Sequence, residues 1–165
     1  MRTPSIHAVR GITGWMGLLA LCLASALAQA QTIARFSTQG EFDVVKEEVL
    51  LAIQGRGLVV DHTSYIGNML ERTAKDVGAG KRVYARAEAV QFCSAVVSRN
   101  TMEADPANIA FCPYVVALYV LPDDPKTVHA VFRRVSGAGS DASRASLREV
   151  DALLEAIVRE ALGLK

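Results

Sequence analysis

The chain has 165 residues, with 18 Lys and Arg against 17 Asp and Glu and a formal net charge of +1 at pH 7. This length fits one ordinary domain with a hydrophobic core of its own. The balanced charge excludes the basic excess with which proteins bind nucleic acid or anionic lipid, so we expect neither partner.

The first thirty residues have the features of a secretory signal peptide that is cleaved after Ala30. Arg2 and Arg10 give a basic start, residues 11–27 carry no charge, and Ala28-Gln29-Ala30 has the small residues that signal peptidase reads. The apolar stretch is short for a membrane span of about 20 residues. We therefore expect a periplasmic or secreted protein without a stable membrane anchor.

Cleavage at this point would remove two arginines and Cys22. The mature chain, residues 31–165, then carries 16 basic against 17 acidic side chains, a net charge of −1, and two cysteines. We expect it to form a single domain. An exported protein with an even number of cysteines permits a disulfide.

The mature chain alternates strand-like and helix-like patterns. Strands, indicated by β-branched and aromatic residues, are predicted at 32–36, 57–66, 83–92, 114–121 and 128–135. Helices, indicated by apolar residues at three- and four-residue spacing, are predicted at 41–54, 66–77, 94–104 and about 141–163. Thr38 and Glu41 form a capping-box pattern before the first helix, and the turn at 122–125 joins the last two strands as a hairpin.

Helices between strands, followed by a hairpin and a closing helix, predict an α+β fold with two layers. In this two-layer sandwich, a mixed β-sheet of about five strands carries helices on one face. Ile53 on the first helix and Val116 in the most apolar strand are predicted to lie in the core.

The dipeptide Phe-Cys occurs twice, in AVQFCSA and in ADPANIAFCPYVVALYV. Cys93 follows a strand, Asp105-Pro106 ends a helix, and Cys112-Pro113 opens the next strand. With this order of motifs, the chain resembles the domain-of-unknown-function 302 family (DUF302), over about residues 32–135. The resemblance implies a small α+β domain and a homodimer, and it implies no assigned reaction.

Cys93 and Cys112 are the candidate thiol site. Cys93 falls where a strand meets a helix, and a helix N-terminus lowers the pKa of a thiol and favours the thiolate. The pair fits a structural disulfide worth roughly 3 kcal/mol, two inert buried thiols, or a redox or metal site.

The path of the chain between the two cysteines decides among these alternatives. If the helix at 94–104 crosses over to a parallel strand, the cysteines lie at opposite sheet edges and cannot bond. If residues 105–111 double back, the cysteines share one edge. The sequence permits both paths.

His62 follows a strand and precedes the helix that carries Met69. Together with Cys93 and Cys112, these side chains are a candidate site for a soft metal or for haem iron. The alternative is an exposed or hydrogen-bonded histidine at a strand end. The sequence does not identify a cofactor.

The chain lacks a Gly-rich phosphate loop, a G-x-S-x-G elbow, an H-E-x-x-H helix and a paired-carboxylate signature. We therefore favour a non-enzymatic protein: an exported small binding or interaction domain whose unassigned ligand lies near Cys93 and Cys112. One alternative is a thiol redox or sulfur-handling protein, with Cys93 as nucleophile and Cys112 as resolving thiol. Another is a soft-metal or haem carrier that uses His62 with the cysteines.

Overall fold

A computed structural model describes residues 33–165. Its elements in chain order are β1 (Ile33–Gln39), α1 (Phe42–Gln54), β2 (Val59–Ser64), α2 (Ile66–Thr73), β3 (Arg86–Cys93), α3 (Ala95–Ala104), a 3-10 helix (Pro106–Phe111), β4 (Tyr114–Leu121), β5 (Asp124–Arg133) and α4 (Arg144–Ala161). The predicted signal peptide and its cleavage point lie outside the described residues. Within residues 33–165, no helix has both the length and the apolar character needed to cross a membrane.

The five strands form one sheet in the order β1-β5-β4-β3-β2, and every neighbouring pair is antiparallel. The predicted α+β class and the five strands are therefore confirmed, whereas the predicted mixture of parallel and antiparallel pairs is wrong. The reason lies in the helical connections. The chain leaves β3 through α3, turns back through the 3-10 helix, and returns as β4 beside β3 in the opposite direction.

The start of α1 also differs from the predicted capping box. Thr38 remains in β1, opposite Val128 of β5, and Glu41 occupies the N-cap position without a side-chain hydrogen bond. The N–H of Gly40 donates to the carbonyl of Lys126 at 3.0 Å, which continues the pairing of β1 with β5. Thr38 therefore pairs within the sheet and does not cap α1, although the local sequence pattern predicted a cap.

The hydrophobic core lies between one face of the sheet and the helices α1 and α4. Directly opposed residues of antiparallel strands share a face, which places Val90 of β3, Val116 of β4 and their cross-strand neighbours on the covered side. Ile53 of α1 and Ile157 of α4 pack onto this face, and all four side chains are fully buried. The burial of Ile53 and Val116 agrees with the sequence-based prediction.

Helix α2 lies against β3 through a close backbone approach. A Cβ atom at Gly67 would lie 2.9 Å from the backbone nitrogen of Ala87, so a larger residue could not sit there without a shift of the helix. The neighbouring Ile66 lines a groove with Ala117 and Tyr119 of β4, on the sheet face that α1 and α4 leave uncovered.

Candidate functional site

Cys93 and Cys112 lie at the same end of two neighbouring strands. Cys93 is the last residue of β3, and Cys112 lies between the 3-10 helix and β4. The pairing of Phe92 with Tyr114 brings those two strand ends side by side. Of the two chain paths that the sequence permitted, the structure therefore has the one that doubles back.

Local capping produces this reversal. The hydroxyl oxygen of Ser94 accepts a hydrogen bond from the N–H of Val97 at 3.3 Å and caps α3 directly after Cys93. The carboxylate of Asp105 accepts from the N–H of Ala107 at 3.0 Å and caps the 3-10 helix. Side-chain oxygens in these positions satisfy the free N–H groups of a helix start, so two short helices fit between two adjacent strands.

The Sγ atoms of Cys93 and Cys112 are 2.9 Å apart. Both cysteines are free thiols and are half-buried. The separation is longer than the S–S bond of about 2.05 Å and shorter than the ordinary contact of two unbonded sulfur atoms, so the fold holds the pair close to bonding distance.

A line of hydroxyl groups continues from Cys112 into the core. The hydroxyl of Ser98 lies 3.3 Å from Sγ of Cys112 and donates to the phenol oxygen of Tyr114 at 3.2 Å. The hydroxyl of Thr101 donates to the carbonyl oxygen of Ser98 at 2.9 Å. Tyr114 and Thr101 are both buried, so this polar line is shielded from water at its inner end.

The environment raises the pKa of the Cys93 thiol to about 12. Burial is the largest cause, the hydrogen bond and the charge of Cys112 add to it, and the negative charge of Asp61 acts in the same direction. The expectation that a helix N-terminus lowers this pKa is therefore wrong. The free N–H groups of α3 begin after Ser94, whose own hydroxyl accepts one of them.

Tyr114 responds to the same surroundings. Burial raises the pKa of its phenol, whereas hydrogen bonds from Ser98 and Thr101 oppose that rise. The charges of Cys112 and Cys93 also raise the pKa of the phenol, because both sulfurs lie close to it.

His62 and Met69, the other two predicted ligands, do not form a metal-binding group with the cysteines. His62 is exposed on β2 and pairs with Gln91, whereas Cys93 pairs with Val59. Met69 lies on α2 with 39% of its surface exposed. In the part of the chain from residue 33 onward, no three His, Cys, Asp or Glu side chains form a group that could hold a metal ion. The soft-metal or haem site stays a prediction.

Sequence reasoning missed Ser98, Thr101 and Tyr114 as members of the site. A signal was present in α3, where Ser94, Ser98 and Thr101 recur at four- and three-residue spacing. Residues at this spacing share one face of a helix. A polar line on the face next to Cys93 could have been read from that spacing.

An apolar groove lies beside the thiol pair. Strand β4 pairs with β5 from Ala117 onward, so residues 114–116 stand apart from the end of β5. A groove of about 350 Å³ opens at this separation. Its lining includes Phe111 and Pro113, the two residues that flank Cys112.

A second groove of about 470 Å³ lies on the uncovered sheet face. The two grooves share Ile33, Ala117 and Val131, which form a continuous apolar surface across β1, β5 and β4. Ile33 has 41% of its surface exposed.

Comparison with known proteins identifies the fold. No protein-family model matches the chain, and no curated protein matches it. The domain is similar to a crystal structure of an uncharacterized conserved DUF302 protein from Bacillus stearothermophilus, with a TM-score of 0.66 and 11% sequence identity over 80% of this chain and 99% of that chain. At this identity the likeness concerns the fold alone, and the chain accordingly has a DUF302-like α+β fold.

Proposed function

We propose that Cys93 and Cys112 form a reversible dithiol–disulfide couple in an exported protein. The observation that carries this proposal is the 2.9 Å between the two Sγ atoms. Formation of the bond requires the sulfurs to approach by about 0.9 Å, a movement that side-chain rotation of two half-buried residues can supply.

The reaction is a thiol–disulfide exchange with a second, disulfide-bearing molecule. The two thiols of the domain lose two electrons and two protons and become the Cys93–Cys112 disulfide. The disulfide of the other molecule takes up the electrons and protons and becomes two thiols. The reverse direction oxidises a dithiol partner and restores Cys93 and Cys112.

The same geometry also suits a permanent structural disulfide, and the reduction potential separates these alternatives. Structural disulfides of exported proteins have potentials below about −300 mV, whereas exchanging pairs lie above that value. A structural bond across this loop would also stabilise the fold by roughly 3 kcal/mol, so Cys93→Ser would lower the stability of the oxidised protein by that amount.

The test is a redox titration of the purified domain in dithiothreitol and glutathione buffers, followed by thiol trapping and intact-mass measurement. We expect one two-electron transition, with a mass difference of two hydrogens and a potential above about −300 mV. Cys112→Ser should abolish the transition. A pair that stays reduced under mild oxidant, or a bond that resists reduction at the structural limit, would overturn the proposal.

The groove beside Cys112 supports a second function, the binding of a small apolar ligand. Ala117→Phe should fill the shared part of the two grooves and weaken the binding of a fluorescent apolar probe, 8-anilinonaphthalene-1-sulfonate. Ala110→Phe adds the same ring at an exposed site of the 3-10 helix and is the matched control. Equal probe binding by both variants would refute this candidate.

The continuous apolar surface on the uncovered sheet face supports the homodimer that the family resemblance implies. A charge placed at Ala117 should dissociate such a dimer, because its cross-strand neighbours Ala89 and Val131 are apolar and leave the carboxylate unpaired in the desolvated interface. Light scattering of Ala117→Asp, with Val44→Asp on the opposite layer as the control, tests this. Wild-type protein that is monomeric at high concentration would contradict it.

A further inference from the structure

We propose that Ser98 is a positioning residue that selects Cys112, and not Cys93, as the sulfur that attacks a disulfide. This inference rests on the proposed dithiol–disulfide function and reverses the roles that the sequence suggested. Its basis is the difference between the hydrogen-bond partners of the two sulfurs.

Cys112 contacts the line of hydroxyl groups formed by Ser98, Tyr114 and Thr101, whereas Cys93 has no hydrogen bond with these hydroxyl groups. Ser98 lies 3.3 Å from Sγ of Cys112. Sγ of Cys93 contacts Cys112 and accepts a backbone hydrogen bond from Tyr114, and no hydroxyl partner is found for it among the described residues. A thiolate is stabilised by donors that point at it. Ser98 can be such a donor for Cys112, while Asp61 places negative charge near Cys93.

The hydroxyl line can reverse its direction without any heavy atom moving. With neutral thiols, the proton of Ser98 points to Tyr114, and Oγ of Ser98 is free to accept from the Cys112 thiol. When Cys112 loses its proton, the hydroxyl of Ser98 can rotate to donate to the sulfur, and the phenol of Tyr114 can donate to Ser98 in its place. The hydrogen of a serine hydroxyl rotates to suit its partners, and a tyrosine hydroxyl can either donate or accept. The line can therefore stabilise a negative charge on the sulfur.

The inner end of the line is fixed. Thr101 is buried and donates its own proton to the carbonyl oxygen of Ser98. A buried polar group without partners would be costly, and this hydrogen bond satisfies the Thr101 hydroxyl inside the fold. Ser98, Tyr114 and Thr101 therefore form a connected polar line that begins at Sγ of Cys112.

The attack follows from this assignment. The Cys112 thiolate attacks one sulfur of the partner disulfide, and the other partner sulfur leaves as a thiolate that takes a proton from solvent. Cys93, 2.9 Å away, then transfers its proton to solvent and attacks Sγ of Cys112. This second step releases the remaining partner thiol and leaves the Cys93–Cys112 disulfide.

The test measures the alkylation of each cysteine by iodoacetamide as a function of pH, with the reduced domain and peptide mass mapping. We expect Cys112 to react before Cys93. Ser98→Ala should slow the alkylation of Cys112 by about tenfold, the factor that one hydrogen bond to a charged group is worth at its lower limit, and should move the midpoint of its pH profile upward. Ser98→Thr, which restores a hydroxyl, should recover both values.

Two further variants separate this role from a loss of structure. Tyr114→Phe removes the next hydroxyl of the line and should slow the same reaction by a smaller factor. Ser146→Ala removes a half-buried hydroxyl of α4 that donates to the carbonyl of Ser143, outside the line, and it should leave the pH profile of Cys112 unchanged.

The inference is overturned if Cys93 reacts first, or if Ser98→Ala leaves both the rate and the midpoint of Cys112 as they are in the wild type. These outcomes are independent of the redox titration. A wild-type domain that cycles normally while Ser98→Ala has no effect refutes the role of Ser98 alone, and a domain that does not cycle refutes the proposed function.

Discussion

Phe92 and Tyr114 face each other across β3 and β4, with their ring centroids 6.2 Å apart and their planes inclined by 76°. Both rings are buried. Because Cys93 follows Phe92 directly and Cys112 precedes Tyr114 by two residues, this aromatic pair fixes the two strand ends from which the sulfurs project. Phe111, before the second cysteine, is half-buried against the core.

Phe92→Ala should therefore destabilise the reduced protein by about 3–5 kcal/mol, as truncation of a fully buried phenylalanine does. It should also slow disulfide formation, since the end of β3 loses its anchor. Phe111→Ala is the control, and its smaller burial predicts a smaller loss. Urea unfolding of the two variants gives the comparison, and equal losses would contradict the anchoring role of Phe92.

Ile53 and Val116 belong to the core that joins α1 to the sheet, and neither has exposed surface. Ile53→Ala should cost about 2–5 kcal/mol, and Val116→Ala somewhat less because fewer buried carbons are removed. Val44→Ala on the same helix is the control for Ile53: its side chain is 61% exposed, and surface truncations stay within about 0.5 kcal/mol. A cost of that small size for Ile53→Ala would show that α1 packs through a different face.

The raised pKa of Cys93 makes the stability of the reduced protein depend on alkaline pH. The folded thiol keeps its proton up to a pKa of about 12, whereas a thiol of an unfolded chain loses it near pH ~8.5. As the pH rises, the thiol of the unfolded state therefore ionises first, and this ionisation lowers the free energy of the unfolded state relative to the folded state. The stability is fully present below about pH 8.5 and declines from there toward the folded pKa.

The oxidised protein is the control for this pH dependence. Tyrosine and lysine side chains titrate in the reduced and the oxidised protein alike, whereas only the reduced protein has thiols. Unfolding by urea at a series of pH values should show that the reduced form loses stability more steeply. Parallel curves for the two forms would mean that the Cys93 thiol is not protected by burial.

The sequence predicts export with cleavage after Ala30. The intact mass of protein recovered from the periplasm should correspond to a chain that begins at Gln31, because the uncharged stretch ends in the small residues that signal peptidase requires. Ala30→Arg should block the cleavage, and Ser37→Arg, at an exposed position beyond the cleavage site, should not. A full-length cytoplasmic product would contradict the prediction and would remove the oxidising environment from the argument for a disulfide.

Local patterns were sufficient to predict several elements. The apolar spacing around Ile53 predicted α1, and the apolar run around Val116 predicted β4. Ser94 and Asp105 marked the two ends of α3, where they do act as flanking caps. These features could be predicted because each depends on residues within one helical turn or a few strand positions, where periodicity and capping chemistry act directly.

Other features depended on which strand lies beside which. Because β1 pairs with β5, Thr38 belongs to a strand and does not form the predicted cap of α1. Strand β4 is antiparallel to β3 because the 3-10 helix returns the chain to the end of the sheet that it had left, and no short-range pattern distinguishes that return from a crossover.

The sequence by itself determined the residues of the thiol pair, the α+β class and the apolar faces that form the core. Only the tertiary structure decided that the two sulfurs meet 2.9 Å apart, that Ser98 and Tyr114 reach one of them, and that burial holds the proton on the other. The physical reason is that contact and desolvation are properties of segments separated along the chain, and they exist only after β3, α3 and β4 have packed together.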